Sequence, residues 1–119
     1  MYNEILLNHF KNPRNVGELP PPALTVEVSN PACGDILRLS VQFDHGAVDA
    51  VRYKVRGCTA SIAAGSALTE WMQGKTSAQL AQLKPDAIDD AVGGLIPESK
   101  HAAVLCVDAV KAVLRKLAM

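Results

Sequence analysis

Two runs of alternating apolar and polar residues, joined by a short turn, constrain the fold of this chain more than any other feature. Their apolar positions are Leu37, Leu39, Val41 and Phe43 before the turn "DHGA", and Val51, Tyr53 and Val55 after it. Strands joined by so short a turn must be antiparallel, because a parallel return needs a crossover of about a dozen residues or more. Val48 has the opposite parity, so the later strand is predicted to carry a bulge or to start late.

Sequence on both sides of this hairpin supplies one more strand and several helices. Val26 and Val28 alternate with polar neighbours and predict a strand, whereas residues 2–11 have helical apolar spacing that ends at Asn12 and Pro13. A longer helix is predicted from Thr59 to the stop at Gly74. Its first half, "TASIAAGSA", has small side chains that let another element approach closely.

The C-terminal half reads as helical. The segment "SAQLAQLKPDAIDDAV" predicts short helices interrupted by Pro85, and a long helix is predicted from about Pro97 or Ser99 to the C-terminus. The predicted fold class is therefore α+β: a small three-stranded antiparallel sheet with helices packed on one side, a short N-terminal helix and a long C-terminal helix. Residues 1–119 are expected to form one domain.

Composition excludes several classes of partner. The 119 residues are 49% hydrophobic and carry 12 basic and 12 acidic side chains, so their formal net charge is zero. A neutral chain without a basic stripe does not favour nucleic acid or anionic lipid. The N-terminus has no basic start followed by an apolar run, and no long apolar stretch occurs elsewhere, so we expect a cytoplasmic protein that does not enter a membrane.

Three cysteines stand near the ends of predicted elements. Cys33 precedes the second strand, Cys58 opens the small-residue helix, and Cys106 lies in the first turns of the last helix. Element ends that converge at one edge of a domain would bring these thiols together. The alternative is packing: Cys106 also forms an apolar stripe with Val110 and Val113, and unpaired cysteine is often buried.

Two of these positions have additional chemical support. A thiol at a helix N-terminus, such as Cys58, faces unsatisfied amides and the positive end of the helix dipole, which favour thiolate. In "CGD" the side chains of Cys33 and Asp35 point the same way if the segment is extended, and Gly34 leaves room for an ion between them. The alternative for Asp35 is an ordinary carboxylate at a strand end.

Four ordered segments resemble the IscU/NifU-type iron–sulfur cluster assembly scaffolds, with SufU as a relative. The segments are "HFKNPRNVG" (9–17), "PACGD" (31–35), "GCTASIAAGSALTEWMQGK" (57–75) and "LCVDAVKAVL" (105–114). The resemblance implies that the three cysteines meet at one exposed edge. It implies that Cys33, Cys58 and Cys106 are thiolate ligands of a nascent cluster or of a single metal ion, with Asp35 as the nearby carboxylate.

The implied function is that of a carrier rather than an enzyme. Such a scaffold receives sulfur from a cysteine desulfurase, gathers iron and electrons, builds a 2Fe–2S cluster and passes it to acceptor apo-proteins. By resemblance Cys106 is the first candidate for receiving persulfide sulfur, with Cys33 playing that part in zinc-bearing relatives. A hard carboxylate in place of a fourth thiolate should make the cluster labile, and the same donors also suit Zn²⁺.

The chain departs from this family near its third cysteine. In the IscU branch a histidine directly precedes that cysteine, whereas this chain has Leu105 there and carries Lys100 and His101 further upstream. On a continuous helix, residues five apart diverge by about 140 degrees, so His101 and Cys106 would not face the same ion unless the helix begins after the histidine. His101 is therefore expected to be an exposed residue at a helix end, and the part played by Lys100 is left open.

Other assignments remain negative or open. His9 and His45 receive no ligand role, and "LIPESK" (95–100) stands where the IscU branch has its chaperone-binding segment, so no chaperone is assigned. One alternative function is a zinc-containing sulfur acceptor that stimulates a cysteine desulfurase. Another is a thiol enzyme that uses Cys58, which the sequence disfavours because it places no histidine beside that thiol.

Overall fold

A computed structural model describes residues 2–31 and 34–119, which form a three-stranded sheet and a set of helices. The elements are, in chain order, α1 (Glu4–Lys11), β1 (Leu24–Asn30), β2 (Asp35–Asp44), β3 (Ala47–Arg56), α2 (Thr59–Met72), α3 (Ser77–Leu80), α4 (Pro85–Ala91), a 3-10 turn (Pro97–Ser99) and α5 (His101–Leu117). The predicted α+β class is confirmed, including the short first helix and the long last one. No helix among the described residues has both the length and the apolar character needed to cross a membrane.

The sheet has the order β1-β2-β3, and both strand pairs are antiparallel. Between β2 and β3 the register shifts: Gln42 lies opposite Ala50, but Phe43 lies opposite Val48. Asp49 is therefore the extra residue on β3. The bulge predicted from the parity of Val48 is confirmed. Because of the extra residue, Val48 and Val51 both point into the core although their positions have opposite parity.

The two faces of the sheet have different environments. On the inner face, five side chains in the middle of the sheet are at most 2% exposed: Leu37, Leu39, Val41, Val51 and Tyr53. Helices α2 and α5 pack on this face. On the outer face the Arg38 side chain is 42% exposed. Its guanidinium nitrogens form ion pairs with the carboxylate oxygens of Glu18 at 2.7 Å and of Glu27 at 3.4 Å. The helices thus cover one side of the sheet, as predicted.

The small-residue run of α2 allows this helix to lie directly against β3. A Cβ atom built on Gly65 would come within 2.5 Å of the Tyr53 ring, so only glycine fits at this crossing. The Tyr53 hydroxyl donates a hydrogen bond to the Ile62 carbonyl at 2.8 Å. Close packing fixes α2, and therefore Cys58 at its N-terminus, relative to the sheet.

The outer edge of β3 is covered by neighbouring segments of the chain. Tyr53 N donates to Asn15 O and Gly17 N donates to Tyr53 O, both at 2.9 Å. Asn15 reaches this position with a φ of 59°, which asparagine tolerates better than most residues. At the other end of the strand, Val48 N donates to Lys75 O at 2.9 Å.

A buried histidine connects α1 to α2. His9 is 7% exposed, and its Nδ1 lies 2.8 Å from Ser66 Oγ and 3.3 Å from an Arg14 guanidinium nitrogen. Because arginine only donates hydrogen bonds, Nδ1 is an acceptor and carries no proton. The Ser66 hydroxyl in turn accepts from Arg14 N at 3.0 Å. His9 is therefore held as the neutral imidazole, with its proton on Nε2, 3.7 Å from Glu70 Oε1.

This arrangement predicts that acid destabilises the fold through His9. Burial, followed by the charge of Arg14, lowers the pKa of His9 below 6.5, although Glu70 opposes the shift. The folded chain then binds fewer protons than the unfolded chain as the pH falls through 6.5, so stability is lost from there down to the lower folded pKa. Between about pH 7.5 and about pH 5.5, the free energy of unfolding in urea should fall further for the wild type than for His9→Gln. Equal losses in the two proteins would contradict this role.

Candidate metal and cluster site

Three side chains from three different elements meet at one end of the sheet. Asp35 is the first residue of β2, Cys58 is the N-cap residue of α2, and His101 is the first residue of α5. Each offers one ligand atom, and these atoms all lie within 4.8 Å of one another. The group therefore has the size and donor types of a metal site.

The contacts within this group converge rather than form a chain. Cys58 Sγ lies 3.4 Å from Asp35 Oδ2 and 3.7 Å from His101 Nε2. His101 Nε2 also lies 3.4 Å from the same carboxylate oxygen. A catalytic relay needs the two nitrogens of the histidine to face different partners. Here one nitrogen faces both the thiol and the carboxylate, which is the arrangement of ligands around a shared centre.

Asp35 is held against the backbone that leads into Cys58. Its residue surface is 4% exposed, and a Cβ atom built on Gly57 would lie 2.6 Å from both Cγ and Oδ1 of the carboxyl group. Any other residue at position 57 would push Asp35 away from the site. Glycine is required at this position for a close approach and not for an unusual φ.

Ser61 is a polar contact of the site that the sequence analysis did not single out. Its hydroxyl is buried at 2% exposure, donates a hydrogen bond to Asp35 Oδ2 and lies 3.4 Å from Cys58 Sγ. The available signal is its position three residues after Cys58, which places both side chains on one side of the first turn of α2.

His101 lies at a helix end, as expected, but the expectation that it is exposed is wrong, and it lies beside Cys58, where the sequence placed no histidine. A 3-10 turn replaces the start of the predicted helix, and α5 begins only at His101, whose side chain is 25% exposed and reaches the site. The preceding loop is held by Asp89, which accepts hydrogen bonds from Leu95 N and Lys100 Nζ. The Lys100 contact is the main reason why the pKa of Asp89 lies below its usual value. Lys100 is thus directed to Asp89.

Cys106 lies in the core. It is 1% exposed, and burial raises the pKa of its thiol to about 12. It is five residues after His101 in the same helix, so the two side chains point about 140 degrees apart. With His101 directed at Asp35 and Cys58, Cys106 is not a member of the group. A ligand role for Cys106 stays a prediction. It would require the thiol to become exposed and to lose its proton, and the buried position of Cys106 opposes both changes.

The remaining sequence candidates have simple placements. Cys33 lies outside the described residues. His9 belongs to the network between α1 and α2, and His45 is a 92% exposed turn residue beside Asp44. Among the described residues, the donors at the site are therefore one thiol, one imidazole and one carboxylate. These are ligand types found at both zinc and iron sites.

Comparisons with known proteins agree on one family. The profile of the NifU-like N terminal domain matches residues 1–119. An iron–sulfur cluster assembly scaffold protein IscU from Azotobacter vinelandii is 37% identical over 118 residues, which cover 96% of this chain and 91% of that protein. The iron–sulfur cluster assembly enzyme IscU of Drosophila melanogaster is also 37% identical, with 96% and 76% covered. In fold, the chain is similar to a crystal structure described as a SufU scaffold from Fervidobacterium islandicum AW-1, with a TM-score of 0.77. The two sequences are 19% identical, and the match covers 95% of this chain and 96% of the other.

Proposed function

Because the chain belongs to the family of NifU-like N-terminal domains, we propose that it is a scaffold on which an iron–sulfur cluster is assembled and then passed on. The resemblance seen in the four ordered segments is confirmed by this membership. The IscU relative from Azotobacter vinelandii, named a cluster assembly scaffold, is matched over nearly its whole length. The cluster is cargo, so the chain acts as a carrier and not as a turnover enzyme.

The observation that carries this proposal is the convergence of three different donors on one point. Clusters that stay in place are usually held by cysteine thiolates at every iron corner. The described site instead combines the soft sulfur of Cys58 with the imidazole of His101 and the hard carboxylate of Asp35. Mixed donors hold iron less firmly than thiolates alone, which suits a protein that must release its cluster.

We propose Asp35, Cys58 and His101 as ligands, together with Cys33 on the basis of its spacing in "CGD". This set departs from the sequence prediction by adding His101 and by omitting Cys106, which is 1% exposed in the core. Cys106 and Cys33 are the sequence candidates for receiving sulfur. A partner that carries a persulfide has no access to the thiol of Cys106 while that residue is 1% exposed. Cys33 is therefore the acceptor that we favour.

The proposal defines the partners by their chemistry. A cysteine desulfurase supplies sulfane sulfur, two external electrons reduce each such sulfur to sulfide, and apo-proteins with free thiols take the finished 2Fe–2S cluster. A chaperone is not part of the proposal, because "LIPESK" stands in place of the chaperone-binding segment. Thiol ligands must stay reduced, so the proposal places the chain in a reducing compartment such as the cytoplasm.

A second candidate function is a zinc-containing sulfur acceptor that stimulates its desulfurase without building clusters. It is favoured by the same observation, because sulfur, imidazole and carboxylate donors are common around tetrahedral Zn²⁺. The thiol enzyme is disfavoured by geometry. Although His101 lies beside Cys58, Asp35 contacts the same ring nitrogen as the thiol, and no carboxylate among the described residues orients the other nitrogen.

Anaerobic reconstitution separates the two candidates. The full chain is incubated with ferrous iron, cysteine, a reductant and a cysteine desulfurase, and the product is followed by absorption and Mössbauer spectroscopy. A scaffold should develop the spectra of a 2Fe–2S cluster and should convert an apo-ferredoxin to its holo form. Stimulation of the desulfurase by the zinc-loaded chain without any cluster spectrum would favour the zinc-containing acceptor and contradict the scaffold.

A further inference from the structure

We propose that Ser61 is a positioning residue that fixes the Asp35 carboxylate for metal binding. This inference rests on the proposed function, because it assumes that Asp35 is a ligand. It adds to the site a residue that holds no metal itself and acts through the carboxylate. The starting observation is that the Ser61 hydroxyl contacts both Asp35 Oδ2 and Cys58 Sγ.

The carboxylate of Asp35 is held from two sides. On one side, Oδ1 lies so close to Gly57 that a Cβ atom there would be 2.6 Å away. On the other side, Oδ2 accepts the hydrogen bond from Ser61. The carboxyl group thus occupies the space that a side chain at position 57 would fill. Loss of the hydroxyl would remove one restraint on the orientation of Oδ2.

Burial makes this hydrogen bond important for orientation. Asp35 is 4% exposed and Ser61 is 2% exposed, so water does not readily replace the hydroxyl. A hydrogen bond to an ionised group is stronger than one between neutral groups, and its loss at a buried site is not compensated by solvent. Cys58 and His101 also contact Oδ2. Those two side chains are themselves proposed ligands and would turn toward the metal, which leaves Ser61 among the contacts that can persist.

An opposite effect must also be considered, in which Ser61 competes with the metal for the carboxylate. A carboxylate has about four lone-pair positions on its two oxygens, so one hydroxyl and one metal ion can bind it together. Residues that hydrogen-bond to metal ligands generally increase metal affinity, and their loss typically costs about 10–100-fold. We therefore expect orientation to outweigh competition.

The test is a titration of the full chain with Co²⁺ under anaerobic conditions, followed by the absorption of the thiolate-to-cobalt band. Ser61→Ala should bind Co²⁺ about 10–100-fold more weakly than the wild type. Ser61→Thr keeps a hydroxyl and should stay within a few-fold of the wild type. Ser66→Ala is the matched control, because it removes a fully buried hydroxyl from the same helix at the His9 network. This control should lower stability in urea without changing Co²⁺ affinity.

Each outcome has a defined meaning. Equal Co²⁺ affinity in the wild type and Ser61→Ala, tighter binding by Ser61→Ala, or equal losses in the alanine and threonine variants would overturn the role of Ser61. An equal loss of affinity in Ser66→Ala would do the same, because the effect would then follow from stability. A wild-type chain that binds no Co²⁺ would overturn the metal site of the proposed function together with this inference.

Discussion

Replacing Cys58 with serine should abolish stable metal binding and leave no cluster after reconstitution. Cys58 supplies the thiol of the described group, and its sulfur lies within 3.7 Å of both Asp35 Oδ2 and His101 Nε2. Serine keeps the size of the side chain but replaces a soft ligand by a neutral hydroxyl, which binds iron and zinc weakly. The measurements are the ratio of bound Zn²⁺ to protein and the cluster absorbance after anaerobic reconstitution.

Cys106→Ala is the matched control for this experiment. Cys106 is buried in the core, so its replacement should reduce stability by about 1 kcal/mol through the small cavity that it leaves. Metal stoichiometry should remain that of the wild type. If Cys106→Ala lost metal as completely as Cys58→Ser, the assignment of Cys106 as a ligand would be supported and α5 would have to rearrange when metal binds.

Replacing Asp35 with alanine should make the chain retain a reconstituted cluster longer and transfer it more slowly. A single Co²⁺ ion needs the carboxylate as a ligand, whereas the irons of a cluster are also held by bridging sulfide, so there the carboxylate is the hard, exchangeable donor. Its Oδ2 lies 3.4 Å from the Cys58 sulfur. When that sulfur is a thiolate, two like charges at this distance oppose each other in a partly buried site. We expect transfer to an apo-ferredoxin to slow by about tenfold, or about 1.4 kcal/mol in the barrier to release. Cluster absorbance with and without the acceptor measures both rates.

Asp44→Ala provides the control at the opposite end of the same strand, where the side chain is 64% exposed. It should change neither retention nor transfer. Faster spontaneous loss of the cluster from Asp35→Ala would show that the carboxylate anchors the cluster. In that case the lability of the site would have to come from another donor, with His101 as the first candidate.

Local sequence patterns were sufficient for most of the fold. Alternation predicts all three strands, and the parity of Val48 predicts either a bulge or a late start of β3, because side-chain direction in a strand depends only on position. The structure shows the bulge, at Asp49. The start of α5 was less predictable. It depends on Asp89, whose carboxylate binds Leu95 N and Lys100 Nζ and so holds the loop before the helix. Such a contact between distant residues leaves no periodic signal.

The same contact explains why sequence reasoning placed the histidine incorrectly. The family resemblance implied that Cys106 lies on the face of α5 that meets the site, whereas its apolar stripe with Val110 and Val113 indicated packing in the core. The structure shows that His101 lies on that face, and the residue that follows His101 is Ala102 rather than a cysteine. Ser61 was missed for a related reason, since its partner Asp35 lies 26 residues away and belongs to another element.

The segments that cover the outer edge of β3 affect how the chain behaves between the loading and the release of a cluster. A bare strand edge offers unpaired backbone groups to other chains and is a common starting point of aggregation. Here the backbone groups of Asn15 and Gly17 form hydrogen bonds with the backbone of Tyr53 at that edge, and Lys75 O accepts a hydrogen bond from Val48 N. The "NPRNVG" segment therefore protects this edge of the sheet from association with another strand. This protection comes from the chain itself, so it does not depend on whether a cluster is bound.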